Sequence, residues 1–365
     1  MNSKERVNTA LRRSGIPDRV PVQFDLCRPL LQEFSEKYHI PIKMSPSYYE
    51  DLMYRTSAND LRTAMGSDCV IVGGGLPSGY IHPTTADGCI INEFGMKMRQ
   101  GLYYMDVVQS PFAEISSPAE VQAFQFPDAY APGRFVTAAR DIETYKNDYF
   151  IIGDVELTMF EMAWHMVGLE KFMLDMASHV AYIEPLLDKA MEFSIGIAKQ
   201  LAGLGVDGLW FGDDFGAQNG MMISPKMWRT IFKPRFAEVF QEVRLVNPNL
   251  LVMYHCDGAI SPILNDLIEI GLDVLNPVQP NVPGHEPQDL KTKFGDRLSF
   301  WGAIDQQYVL PQGTANEIEQ DVAEKIQILG ANGGYMCSPA HILQADTPLE
   351  NIETFLGAVL KHGVY

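Results

Sequence analysis

The sequence predicts an α/β fold, a closed (β/α)8 barrel with a long insertion after its first strand. Three observations predict it. From about residue 148 onward, short β-rich runs alternate with amphipathic helical stretches; that rhythm gives a parallel sheet with helices outside it. With an earlier run at 19–25 the strand count approaches eight over 365 residues, which suits a TIM barrel, whose core unit is typically about 250 residues. No Gly-x-Gly-x-x-Gly follows any of these strands, which argues against the rival open, doubly wound sheet.

In chain order, R-V-P-V-Q-F-D (19–25) is the expected first strand. Residues 26–147 then break the rhythm. They hold helix-like pieces, the Gly-rich V-I-V-G-G-G-L-P-S-G-Y, and N-E-F-G-M-K-M-R-Q-G-L-Y-Y, which alternates like a hairpin. They read as an insertion covering the barrel mouth. No Ser/Pro-rich linker isolates them, so residues 1–365 are expected to form a single domain. Further strands are expected at 149–156, 208–214, 251–257, 273–280, 298–305 and 333–340. Between them, Ile318, Val322, Ile326 and Leu329 recur on one helical face. Ser224 is a suitable N-cap, with Pro225 at the first helical position.

Composition narrows the function. A net charge of −18 argues against nucleic acid and against anionic membranes, because both need a basic surface. No run of about 18 apolar residues exists to span a bilayer. The polar N-terminus lacks the apolar stretch of a signal peptide. Five scattered cysteines read as reduced thiols of a cytoplasmic protein rather than a disulfide framework.

The expected C-terminal strand ends, where barrels of this kind carry their chemistry, are polar. They present Asp25, Asp154, Glu156, Asp213, Asp214, His255, Asp257, Gln279, Asp305 and His341. Contact with solvent and loops accounts for any one of these; the set together points to a pocket. In the run L-V-M-Y-H-C-D-G, strand alternation puts His255 and Asp257 on one side and Cys256 on the other. An imidazole and a carboxylate side by side can bind zinc, given further ligands; His341 and Glu156 are the candidates. Asp213, Asp214 and Asp257 are the candidate catalytic carboxylates, one of which would orient substrate or protonate a leaving oxygen if burial raises its pKa. Asp25, Arg28, Gln218, Gln279 and Asp305 are candidate substrate-binding groups, with Asn219 beside Gln218. Trp210, Phe211, Phe215, Met221, Met222, Trp301 and Tyr335 could line a pocket for an aromatic ring or a flat corrinoid face, although packing between strands and helices is the commoner use of such residues.

The stretch G-L-W-F-G-D-D-F-G-A-Q-N-G-M-M-I-S-P-K-M-W, then H-C-D-G, G-L-D-V-L-N-P-V-Q-P and P-A-H-I-L-Q-A-D-T-P-L-E-N-I, resembles the uroporphyrinogen decarboxylase superfamily. So do the opening R-V-N-T-A-L-R-R-S-G-I-P-D-R-V-P-V and G-D-V-E-L-T-M-F-E-M-A-W. The resemblance covers most of the chain and implies a (β/α)8 barrel. True decarboxylases of that superfamily carry an arginine-rich M-R-Q-A-G-R type segment that grips a porphyrinogen's many carboxylates. The matching place here reads V-Q-F-D-L-C-R-P-L-L, with Arg28 alone beside Asp25. The resemblance is therefore closer to the corrinoid-dependent methyltransferase branch.

Thiol-methylating members of that branch hold zinc by His-x-Cys and a later Cys. By the resemblance His255 matches the histidine, while Asp257 and His341 stand where the cysteines would be. Such a harder ligand set leaves a stronger Lewis acid, suited to polarising an ether or alcohol oxygen. The expectation is a methyltransferase moving methyl from a small O-methylated molecule to a separate corrinoid protein, with zinc bound, and with a homodimer possible from the family. Two other readings are a decarboxylase or lyase, which needs a cationic anchor from Arg28, Arg99 or Lys97, and a non-catalytic corrinoid- or tetrapyrrole-binding protein.

Overall fold

The computed structural model describes residues 1–101 and 104–365. Its strands are β1 (Cys69–Gly73), β2 (Ile90–Ile91), β3 (Lys97–Gln100), β4 (Met105–Gln109), β5 (Phe150–Glu156), β6 (Gly208–Gly212), β7 (Gly216–Ala217), β8 (Gly220–Met221), β9 (Leu251–His255), β10 (Val274–Val278), β11 (Ser299–Ile304) and β12 (Tyr335–Pro339). Seven of these form one parallel sheet in the order β1-β5-β6-β9-β10-β11-β12. Neighbours in sequence are neighbours in space, so each parallel step needs a crossover. Helices Ile183–Leu204, Lys233–Val246, Pro287–Phe294 and Ala315–Leu329 supply four of them. The sheet is curled, an α/β architecture of the TIM-barrel kind.

Alternation along the strands sorts the core into two. Val70, Ile151, Leu209, Val252 and Leu275 face the helices. Ile71, Ile152, Trp210, Met253, Val274, Trp301 and Met336 form a second cluster within the curl, joined by Val7 and Leu11 of the helix Ser3–Leu11. That helix plugs the N-terminal end. Two residues beyond the apolar layer, the same strand faces carry Asp154 after Ile152, His255 after Met253 and Asn276 after Val274. The interior is thus apolar below and polar at the C-terminal ends.

The expected first strand is not a regular one. Val22 makes a single parallel bridge to Cys337. Gln23 N–H donates to Cys337 O at 3.1 Å, and Asp68 N–H donates to Val22 O at 2.8 Å. The segment therefore touches both edges of the sheet, β12 and the residue before β1. Pro21 has no N–H to give, and the Val22 N–H goes to the Asp68 carboxylate at 2.9 Å, so no continuous ladder forms.

Residues 26–147 are not a single excursion, because Cys69–Gly73 is the β1 edge of the main sheet, paired in parallel with β5. Around it, β2, β3 and β4 make a separate antiparallel sheet. Of the stretch 92–104 expected to alternate like a hairpin, Lys97–Gln100 forms β3, whose antiparallel partners β2 and β4 lie on either side of the stretch; Leu102 and Tyr103 lie outside the described residues. Tyr104 to Val107 borders the site described next. Elsewhere the expectations hold locally. Ser224 accepts from Met227 N–H, and Ile318, Val322, Ile326 and Leu329 are buried. All five cysteines are buried and free. Among the described residues no helix is long and apolar enough to cross a membrane.

Candidate metal centre

His255 is the last residue of β9 and pairs in register with Asn276 of β10. Its Nδ1 lies 2.8 Å from Asn276 Oδ1, which also accepts the Trp210 indole N–H at 3.1 Å. An amide oxygen can only accept, so Nδ1 is the protonated nitrogen and Nε2 faces outward. Nε2 looks toward two carboxylates, Asp214 Oδ1 and Asp257 Oδ1, each at 3.8 Å. One ligand atom from each of Asp214, His255 and Asp257 lies within 4.8 Å of the others. His341 stands next to them, with Nε2 3.4 Å from Asp257 Oδ2.

Two backbone features hold this cluster. Asp257 N–H donates to Asp214 Oδ1 at 2.7 Å, which ties the strand end of β9 to that of β6. Gly258 follows with φ of +75°, and a Cβ there would overlap the Gly216 and Ala217 backbone, so the turn needs glycine. Gln279 accepts the Gly258 N–H at 2.9 Å and donates to Gln218 at 3.1 Å.

The charges are crowded. Burial would lower the His255 pKa, but Glu156, Asp257 and Asp214 raise it to about 9. Burial, with Asp257 alongside, pushes Asp214 up to about 6. Asp257 Oδ1 and Glu156 Oε1 are buried acceptors without a hydrogen-bond partner, an arrangement that is costly unless a cation or proton meets it. A cluster of two carboxylates and one outward imidazole nitrogen, with orphaned oxygen, fits a divalent cation such as zinc.

Glu156, expected as a fourth ligand, lies on the Nδ1 side of His255, 3.4 Å away. Burial pushes its pKa up, but Arg55 and His255 hold it below the usual range. Arg55 is the centre of a second network. It pairs with Glu156, with Asp154 at 3.5 Å and with Asp25 at 3.6 Å, and lies 4.4 Å over the Trp210 ring. Asp25 is buried and held by Arg62 as well, so this candidate substrate-binding group is spoken for within the fold.

The other expected residues divide. Asp214 is in the cluster, whereas Asp213 lies behind it, as alternation requires. Asp213 accepts the N–H groups of Met159 at 3.0 Å and Glu161 at 2.9 Å, at the start of helix Phe160–Val167, and burial pushes it up to about 7. Asp305 caps its own loop, accepting from Gln307 and Tyr308 N–H. Arg28 reaches Gln100 at 3.3 Å and does not border the cluster.

A cleft of about 460 Å³ opens on the cluster, walled by Arg55, Glu161, Trp164, His165 and His341. Glu161 is a carboxyl raised well above its ordinary pKa by burial and by Asp214. Arg55, Glu161 and Asn276 were not singled out from sequence. Asn276 had a signal, since it sits in the expected strand 273–280 in phase with His255. Arg55 had none, because it comes from the short helix Met53–Ser57 inside the supposed cap.

The profile of the family described as uroporphyrinogen decarboxylase (URO-D) matches residues 92–362. The chain belongs to the uroporphyrinogen decarboxylase family. A solved methyltransferase from Methanosarcina mazei is 19% identical to this family member, covers 99% of each chain and superposes with a TM-score of 0.69; at that identity it shows the shared fold. An endo-β-1,4-xylanase from Gloeophyllum trabeum (11% identity, 65% of this chain, 81% of that one, TM-score 0.40) and a cyclic maltosyl-maltose hydrolase from Arthrobacter globiformis (10%, 94%, 82%, 0.41) are too distant to bear on the site. Among curated proteins, none matches the chain.

Proposed function

We propose that this protein is a methyltransferase that moves a methyl group from a small O-methylated molecule to the corrinoid of a separate protein, with a divalent metal, zinc, at the cluster. The observation that carries the reading is the Asp214–His255–Asp257 cluster facing a substrate-sized cleft, with the His255 Nδ1 fixed on Asn276 so that Nε2 is turned to the carboxylates. The methyltransferase likeness in fold is consistent with it. The closed barrel fits as well, with residues 19–25 read as the eighth stave.

Asp214, His255 and Asp257 would hold the metal, with His341 beside them. When bound, it supplies a Lewis acid that polarises the ether oxygen. The reaction breaks the methyl C–O bond with its electron pair left on oxygen, and forms a C–Co bond with the pair from cobalt(I), which becomes cobalt(III). The oxygen takes a proton and leaves as an alcohol. The chain's own groups bind and orient. Leu52, Val107 and Trp164 give the cleft apolar wall. Of the cleft carboxyls outside the cluster, Asp106, Glu156 and Glu161, Glu161 is the one that burial raises well above its ordinary pKa, which suits it to protonate a departing oxygen.

The decarboxylase reading needs a cation for a substrate carboxylate. Arg28 is at Gln100, Lys97 pairs with Asp87 at 2.8 Å, and Arg99 with Asp87 at 3.6 Å. The arginine that does border the cleft, Arg55, is already matched by Asp25, Asp154 and Glu156. That arrangement favours methyl transfer over decarboxylation.

The test is elemental analysis of protein purified without chelator or nickel resin, paired with a methyl-transfer assay to a cobalt(I) corrinoid protein. The expected result is about one zinc per chain, lost in His255→Ala together with activity. Full transfer by metal-free protein would remove the metal from the mechanism.

A further inference from the structure

The Asp257–His341 pair walls two clefts. One is the cleft of Glu161 and Trp164. The other, about 410 Å³, opens over the ends of β10, β11 and β12, and its chemistry is different. Six carboxamides border it, those of Gln218, Gln279, Asn281, Gln306, Gln307 and Gln344; among the described residues no Lys, Arg, Phe, Tyr or Trp does. Asp257, Asp305 and Asp346, with His341, Pro280 and Ala340, complete the lining.

A carboxamide donates and accepts at once. A wall of them beside carboxylates, with no lysine or arginine, disfavours an anion and matches a neutral ligand whose edge carries both donors and acceptors. One acceptor is left waiting. Gln306 donates its amide N–H to Ile342 O, while its Oε1 is buried without a hydrogen-bond partner. Such an oxygen calls for an N–H or O–H. The wall is also tied to the metal cluster, because Gln279 holds the Gly258 N–H just after Asp257.

We propose that this second cleft seats the carboxamide-bearing edge of the partner's corrinoid. The inference rests on the methyl-transfer reading and deepens it. Cobalamin-type rings carry primary amide arms around their rim, neutral groups that pair with carboxamides through two hydrogen bonds. The cleft holds an edge of such a ring rather than the whole. Since Asp257 and His341 border both clefts, a ring anchored by its edge here overhangs the first cleft, where the methylated molecule lies.

The experiment titrates the purified protein with aquacyanocobinamide, followed by visible absorption, and with the same ring after its amide arms are hydrolysed to carboxylates. The amide form should bind at least about tenfold more tightly. Gln306→Leu should weaken it by about tenfold, with metal content and melting temperature unchanged; if that variant folds poorly, Gln307→Leu, at an exposed position, replaces it. Equal binding of the two rings, no binding of either, or indifference to the substitutions overturns the seat. Methyl transfer to an intact corrinoid protein is assayed in parallel. Transfer without amide-selective binding removes the seat and leaves the methyltransferase; amide-selective, Gln306-dependent binding without transfer keeps the seat and removes the methyltransferase.

Discussion

Asn276 and His255 stand side by side on neighbouring parallel strands, and a 2.8 Å hydrogen bond between Oδ1 and Nδ1 fixes the imidazole. The bond chooses the tautomer and aims Nε2 at Asp214 and Asp257.

Removing that brace should loosen the metal rather than the fold. Asn276→Ala is expected to lower zinc affinity by about 10–100-fold, read by competition against a chromogenic chelator. Asn276→Asp keeps an acceptor and should recover most of the loss. Equal affinity in wild type and Asn276→Ala would show that the hydrogen bond does not orient the ligand.

Arg55 neutralises three buried carboxylates. Arg55→Met should cost about 3–5 kcal/mol at neutral pH, the usual penalty for leaving buried charge unpaired, measured by urea unfolding. The loss should shrink as pH falls. Without the guanidinium, Asp154 and Glu156 take up protons more readily in the fold than in the unfolded chain, so acid favours the folded variant. A loss that grows toward pH 5 would contradict this account.

Glu161 is expected to matter for turnover and not for the metal. Glu161→Gln should cut methyl transfer by about 10²-fold or more, within the range of general-acid effects, while zinc content stays at the wild-type level. A loss of zinc in that variant would instead make Glu161 part of the metal site.

His285 gives a stability signature that involves none of the proposed metal ligands. It is fully buried, its Nε2 accepts the Ile260 N–H at 3.2 Å, and burial lowers its pKa to about 4 from an ordinary value of 6.5. Between those values the unfolded chain binds a proton and the fold does not. Stability should therefore be full above about pH 6.5 and fall as pH drops toward 4, by up to roughly 3 kcal/mol. His285→Gln, which keeps an acceptor, should flatten the unfolding free energy over that window relative to wild type.

The strands after residue 148 were legible because buried β runs and amphipathic helices differ in period. The strand at 69–73 was not. C-V-I-V-G is short and runs straight into further glycines, so it read as part of a Gly-rich loop. The first strand was overstated for a related reason: R-V-P-V-Q-F-D has the right side chains, but Pro21 and the Asp68 carboxylate take its backbone out of the ladder. At the site, alternation placed His255 with Asp257 correctly on one face. It could have parted Asp213 from Asp214 by the same rule. Arg55 was beyond such reasoning, since a helix outside the strand rhythm delivers it and only tertiary packing brings it onto Trp210.

The plug of Val7 and Leu11 beneath the apolar layer closes the polar well below, so both clefts open at the C-terminal strand ends. If the protein transfers methyl as proposed, a small molecule arrives and departs by the same face that the corrinoid protein would cover. Once that partner sits over the opening, whatever lies beneath is held until the partner leaves. Binding would then be a matter of sequence in time: small molecule first, carrier second, and release in the reverse order.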